Sequence, residues 1–174
     1  MDAYDFVQYN GVDGEYPASV NPSLWRQASL NNIHGLFKVS DGIYQLRGFD
    51  LANMTLIEGE KGWIVVDPLT AKETSKAAFD FAQKHLGEKP ITAILFTHSH
   101  IDHFGGALGL VTAEQVKQES IRIIAPEGFM EEATSENIIA GTAMSRRSMY
   151  MYGKRLARTE RGHVGSGLGK GPAF

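Results

Sequence analysis

The chain has 174 residues, 43% of them hydrophobic and 21% charged, with a formal net charge of −3. This excludes the low-hydrophobicity, high-charge signature of a disordered segment, and at roughly 100–150 residues per domain the length supports one domain. Cysteine is absent, which excludes a disulfide scaffold and a thiolate metal site, so a transition metal would be held by His, Asp or Glu.

The charge is unevenly spread: residues 1–142 carry 10 Lys/Arg against 19 Asp/Glu, and residues 143–174 carry 7 against 1. No apolar run reaches the ~18 residues of a membrane span, and Met1–Phe6 lacks the basic and apolar regions of a signal peptide. The chain as written is expected to be soluble and to carry no address: cytoplasmic by default, periplasmic or secreted if a signal lies upstream.

In chain order, residues 1–40 are polar and broken by Gly11, Gly14, Pro17 and Pro22, with apolar anchors at Phe6, Tyr16, Leu24 and Trp25, and read as an irregular lead-in. From 41 to 174 a domain is expected. Short β-rich runs at 43–46, 54–57 and 63–66, separated by turn signals such as Glu58-Gly59-Glu60-Lys61-Gly62, predict antiparallel strands. Thr70 and Glu73 stand in capping-box spacing and open a helix to Leu86 that Gly87 ends. Ile91–Thr97 is a continuous apolar run of the kind buried on both faces, then 107–118 reads as helix, 121–124 as strand and 127–140 as helix stopped by Gly141. One more helix fits 143–158, and the five glycines in 162–174 predict loop. The class is α/β (α+β).

Directly after the apolar run comes Thr97-His98-Ser99-His100-Ile101-Asp102-His103-Phe104-Gly105-Gly106. Three of the six histidines and a carboxylate within six residues make a metal-site spacing suited to zinc, iron or manganese. Period-two alternation lets His98 and His100 project the same way, and the following turn can bring Asp102 and His103 towards a second ion. Gly105-Gly106 permits a tight backbone approach beside the site. Gly167–Gly171 fails the phosphate-loop pattern, because Val164 stands where a glycine is needed and Gly171 follows Lys170. Tyr150 and Tyr152 form no base-stacking platform, so no nucleic-acid partner is expected, and the basic stretch reads mainly as a face pairing with acidic surface. His34 and His85 read as polar-surface histidines, and His163, in a glycine-rich loop, as a weak ligand candidate.

The pattern His-x-His-x-Asp-His after an apolar strand resembles the metallo-β-lactamase superfamily. The flanking Val20–Gln27, Asn53–Gly59, Ala143–Arg147 and Tyr150–Gly153 resemble its alkyl sulfatase family, over residues 4–172. The resemblance implies an αββα sandwich of which this chain holds the N-terminal half, residues 41–174 being a truncated part of the domain. It implies two divalent metal ions, zinc above all, with His98 and His100 on one and Asp102 and His103 on the other. By the same resemblance Asp102 is expected to be the catalytic carboxylate, and Asp67 in the Val-Val-Asp-Pro turn to orient the ligand loop by hydrogen bonds. Arg146 and Arg147 are candidates for binding the sulfate of a small-molecule alkyl sulfate. In that family glutamates and a histidine much farther on complete the site, and the full-length enzymes are expected to be homodimers. A lactonase or thioesterase of the same fold, and a non-catalytic fragment, are the alternatives.

Overall fold

The computed structural model describes residues 15–118, 121–153 and 155–170. Within the stretch expected to be irregular, Pro22–Asn31 forms a helix, α1, and Gly35–Ser40 a strand, β1. The local reason for α1 is strong: Asn21 accepts a hydrogen bond from the Ser23 amide at 2.9 Å, and Pro22 supplies a first position that needs no donor. Residues 1–14, with the anchor Phe6, and 171–174 lie outside the described residues.

The expected strands follow as β2 (Ile43–Arg47), β3 (Met54–Glu58), β4 (Trp63–Val66), β5 (Ile91–Leu95) and β6 (Arg122–Ile124). They form one sheet in chain order, antiparallel from β1 to β4 and parallel from β4 to β6. A parallel neighbour requires a crossover, and the helix α2, Lys72–Leu86, provides it between β4 and β5. Leu46, Met54, Leu56, Val65 and Ile94, all fully buried, form the core with Ala78, Phe79 and Ala82 of α2. On the opposite face, Ile57 pairs with Ile64, and Val66 with Leu95, and these four stay half-buried. One face of the sheet therefore has its helical layer and the other lacks an equivalent layer among the described residues.

The start of α2 differs from the expected capping box. Ala71 is the capping residue and its side chain makes no cap. The buried Asp50 does that work from the β2–β3 connection, accepting from the amides of Leu51 (2.6 Å), Thr70 (3.2 Å) and Ala71 (3.4 Å) and the hydroxyls of Thr70 (2.8 Å) and Thr74 (2.6 Å). A carboxylate at a helix N-terminus satisfies orphan amides and opposes the helix dipole. Gly87, at φ 89°, ends α2 as expected.

Past β5, a short helix α3 (Ile101–Phe104) falls within the histidine segment, and 107–118, expected to be one helix, is a 3₁₀ turn at Ala107–Gly109 and a helix α4 (Ala113–Gln118). Gly141 does not stop a helix. The chain runs α5 (Phe129–Thr134), a π-helical turn Ser135–Ile139, and then α6 (Gly141–Tyr152), which starts at that glycine and ends earlier than expected, at Gly153 with φ 59°. No helix among the described residues is long and apolar enough to cross a membrane.

Replacing Asp50 by Ala removes the acceptor of three amides and two hydroxyls, mostly part-buried, of which the Thr74 hydroxyl can turn to Ala71 O (3.0 Å), and an unsatisfied buried group costs about 1–3 kcal/mol. After water takes up some of them, Asp50→Ala is expected to lower the unfolding free energy by about 2–4 kcal/mol in urea titrations, with Asp50→Asn losing less. A change within about 0.5 kcal/mol, the range of ordinary surface substitutions, would remove Asp50 from this role.

Candidate metal centre

Strand β4 ends at Val66, and Asp67 turns the chain with φ 54°, followed by Leu69 with φ 65°. Left-handed conformations of non-glycine residues cost about 1–3 kcal/mol each and persist only where surroundings over-determine them. Here the Asp67 amide donates to Leu95 O (2.9 Å) at the end of β5, and Leu69 O accepts from the Gly106 amide (2.8 Å). The turn is thus clamped between the neighbouring strand and the far end of the histidine loop.

That clamp aims the Asp67 carboxylate, 11% exposed, at the loop. Its Oδ1 accepts from the Thr97 amide at 2.8 Å, and its Oδ2 accepts from Thr97 Oγ1 at 2.7 Å and from His103 Nδ1 at 2.8 Å. Thr97 has one hydroxyl hydrogen and gives it to Asp67, so its oxygen accepts from His98 Nδ1 at 3.0 Å. His98 and His103 therefore both carry their proton on Nδ1 and present Nε2 as the lone-pair donor.

Because β5 stops at Leu95, His98 and His100 lie beyond the strand and its alternation does not orient them. The rings meet instead around His98, whose centroid is 4.0 Å from that of His103 and 4.6 Å from that of His100. Asp102 Oδ2 is 3.3 Å from His103 Nε2. The loop thus gathers His98, His100, Asp102 and His103, but no three His, Asp or Glu side chains among the described residues stand in metal-holding geometry. The chemistry of the donor set nevertheless fits a divalent cation: neutral imidazoles and a carboxylate, with ring protons fixed by oxygen partners on the far nitrogen.

Arg146 and Arg147 are exposed on α6, with no ion pair or hydrogen bond to the loop among the described residues. His163 Nδ1 meets the carbonyl of Tyr152, away from the loop. His85 Nδ1 meets the Phe81 carbonyl within α2, and His34 packs edge-on against Phe49. Lys170 is the buried member of the basic stretch, and desolvation lowers its amine below the usual lysine range. Two carboxylates escaped sequence reasoning: Asp50, whose partners Thr70, Ala71 and Thr74 lie 20 to 24 residues away, and Glu136, whose Oε1 stands 2.9 Å from His100 Nε2.

The family model described as the metallo-beta-lactamase superfamily matches residues 47–167. A linear primary-alkylsulfatase from Pseudomonas sp. is 54% identical over 95% of this chain and 24% of its own length. An alkyl/aryl-sulfatase from Saccharomyces cerevisiae is 49% identical over 93% of this chain and 25% of its own. The solved structure of a stereoselective inverting sec-alkylsulfatase from Pseudomonas sp. superposes with a TM-score of 0.85 at 52% identity, covering 92% of this chain and 25% of that one. The chain therefore spans about a quarter of the length of the relatives it matches.

The clamp makes a sharp prediction at Gly106, where a Cβ would fall 2.1 Å from Pro68 O and 2.7 Å from Ser75 Cβ. Gly106→Ala must push the 67–70 turn away from the loop. Thermal unfolding is expected to shift down by an amount equivalent to about 1–3 kcal/mol, with loss of the hydrogen-exchange protection of the Thr97 amide. Unchanged protection there would show that the turn and the loop are not locked together.

Proposed function

The chain belongs to the metallo-beta-lactamase superfamily, whose members work with divalent metal ions, zinc being typical, and from that premise we propose that it carries the first part of the metal site of an alkyl sulfatase. The reaction is hydrolysis of a sulfate monoester, R–O–SO₃⁻ plus water giving the alcohol, sulfate and a proton. One observation carries this reading: relatives named as alkylsulfatases or an alkyl/aryl-sulfatase match at 49–54% identity over 93–98% of this chain.

In this reading His98 and His100 would hold one ion, Asp102 and His103 would hold the second, and Asp102 would be the catalytic carboxylate. Two zinc ions, when bound, would supply neutralisation of the anionic ester and a water of lowered pKa. The protein's own part is orientation. Asp67 keeps His98 and His103 in the Nδ1–H tautomer, so that Nε2 is available without any rearrangement of protons. Arg146 and Arg147 offer planar guanidinium forks for the sulfate oxygens. Glutamates and a histidine supplied from beyond these residues complete the donor set, and the half-buried face of Ile57, Ile64, Val66 and Leu95 receives the second layer of the αββα sandwich.

The test is sulfate release. A zinc-loaded protein that carries this chain at the length of its relatives is expected to liberate inorganic sulfate from dodecyl sulfate, and His98→Ala to reduce the rate by at least about 100-fold, the scale of losing a group that organises charge at the reacting centre. Hydrolysis of a lactone or thioester with no sulfate released would replace this substrate class by another of the same fold.

A further inference from the structure

The histidine loop begins just after Phe96 and ends just before Phe104, and the rings of these two residues stand 6.0 Å apart. A third ring joins them from outside the loop. Phe129, the first residue of α5, stacks on Phe96 (5.4 Å, 25°) and meets Phe104 edge-on (5.2 Å, 75°). Both separations lie where aromatic pairs attract one another beyond the area they bury.

The chain delivers Phe129 there by local means. The Phe96 amide donates to Ile124 O (2.9 Å) at the end of β6, which ties the start of the return to the end of β5. Gly128 then turns the backbone at φ 76°, in the left-handed region open to glycine, and the Phe129 amide donates to Pro126 O (3.2 Å). Beyond β6, Phe129 is the one apolar side chain among the described residues that packs against the hydrophobic core, whereas its neighbours Met130, Ile138 and Ile139 are exposed. The segment from α5 to α6 therefore engages the core through this ring, at the place where the two ends of the loop meet.

Asp67 holds the first and last residues of the loop by hydrogen bonds to Thr97 and His103. The aromatic contacts hold the residues just outside them. We propose that Phe129 is a positioning residue of the histidine loop, drawing Phe96 and Phe104 together and so fixing the span across which His98, His100, Asp102 and His103 face one another. It acts through the two flanking phenylalanines and adds an apolar clamp to the polar one, so that the donors are locked by packing as well as by hydrogen bonds. Its consequence for metal binding rests on the metal-centre reading given above.

The experiment compares hydrogen exchange and cobalt(II) binding in the wild-type chain, Phe129→Ala, Phe129→Tyr and Tyr44→Ala. Tyr44 meets Trp63 edge-on (6.0 Å) at the opposite end of β4 from Asp67, so its truncation removes an aromatic pair away from the loop. In metal-free Phe129→Ala the Thr97 amide, which donates to Asp67 Oδ1, is expected to exchange about 10-fold faster. The Ser75 amide, bonded to Ala71 O at 3.0 Å in α2, is expected to change less. Cobalt binding should weaken about 10-fold, the lower end of the losses that follow when the support of metal ligands is disturbed. Phe129→Tyr keeps the ring and should match the wild type in both readouts. Tyr44→Ala should lower the melting temperature yet leave cobalt affinity and the ratio of Thr97 to Ser75 exchange unchanged. Should the alanine variant not fold, Phe129→Leu, which keeps apolar bulk without a ring, carries the same comparison. Protection at Thr97 that is unchanged in Phe129→Ala, or lost in equal measure with Ser75, would overturn the proposal, as would an equal loss of cobalt affinity in Tyr44→Ala. If the wild type took up no cobalt but Thr97 protection still fell selectively in Phe129→Ala, the metal-centre reading would fail and the clamp would stand.

Discussion

Three hydrogen bonds to one carboxylate organise the chemistry of this chain. Asp67 leaves the end of β4 in a left-handed conformation and accepts from the Thr97 amide, the Thr97 hydroxyl and His103 Nδ1. Through Thr97 its influence reaches His98, so a single group sets the tautomer of two imidazoles and the path of the loop between them. Without it, the loop would carry the same residues but no fixed direction for their lone pairs. The strained turn that holds Asp67 is in turn kept in place by Leu95 O, by the Gly106 amide and by the second buried carboxylate, Asp50, which grips Thr70, Ala71 and Thr74 just downstream.

The two acidic residues divide the work. Asp50 fastens the β2–β3 connection to the start of α2, so the crossover helix cannot drift relative to the antiparallel strands. Asp67 uses the far end of the same turn to hold the loop that follows the parallel strand β5. The loop closes back on this turn through Gly105 and Gly106, where the added methyl of an alanine would come within 2.3 Å of Thr70 O and 2.1 Å of Pro68 O. Sheet, helix and loop therefore meet at residues 67–74, and the histidines inherit their geometry from that meeting point.

Much of this was legible locally. The β-rich runs Ile43–Leu46, Met54–Ile57 and Trp63–Val66, set off by turn signals, marked three strands, Gly87 marked the end of α2, and the density of His and Asp at 98–103 marked the chemistry. What escaped was long-range or geometric. Asp50 caps a helix that starts about twenty residues later, and no local spacing reveals it; the apparent Thr70–Glu73 box was a plausible substitute that the fold does not use. Glu136 reaches His100 only because a π turn and the Phe96–Phe104–Phe129 cluster bring it there. The helix in the lead-in escaped because Pro22 read as a breaker, whereas it is the first residue of a ten-residue helix.

Asp67 is the group that turns the loop into a set of aimed imidazoles. X-ray absorption at the zinc edge, recorded on the zinc-loaded chain and on Asp67→Ala, tests it directly. The wild type is predicted to show imidazole nitrogens in a first shell at about 2.0–2.1 Å, the ordinary Zn–N distance, and Asp67→Ala to lose part of that imidazole scattering. Spectra with the same imidazole contribution in both proteins would contradict the claim that Asp67 directs the histidines.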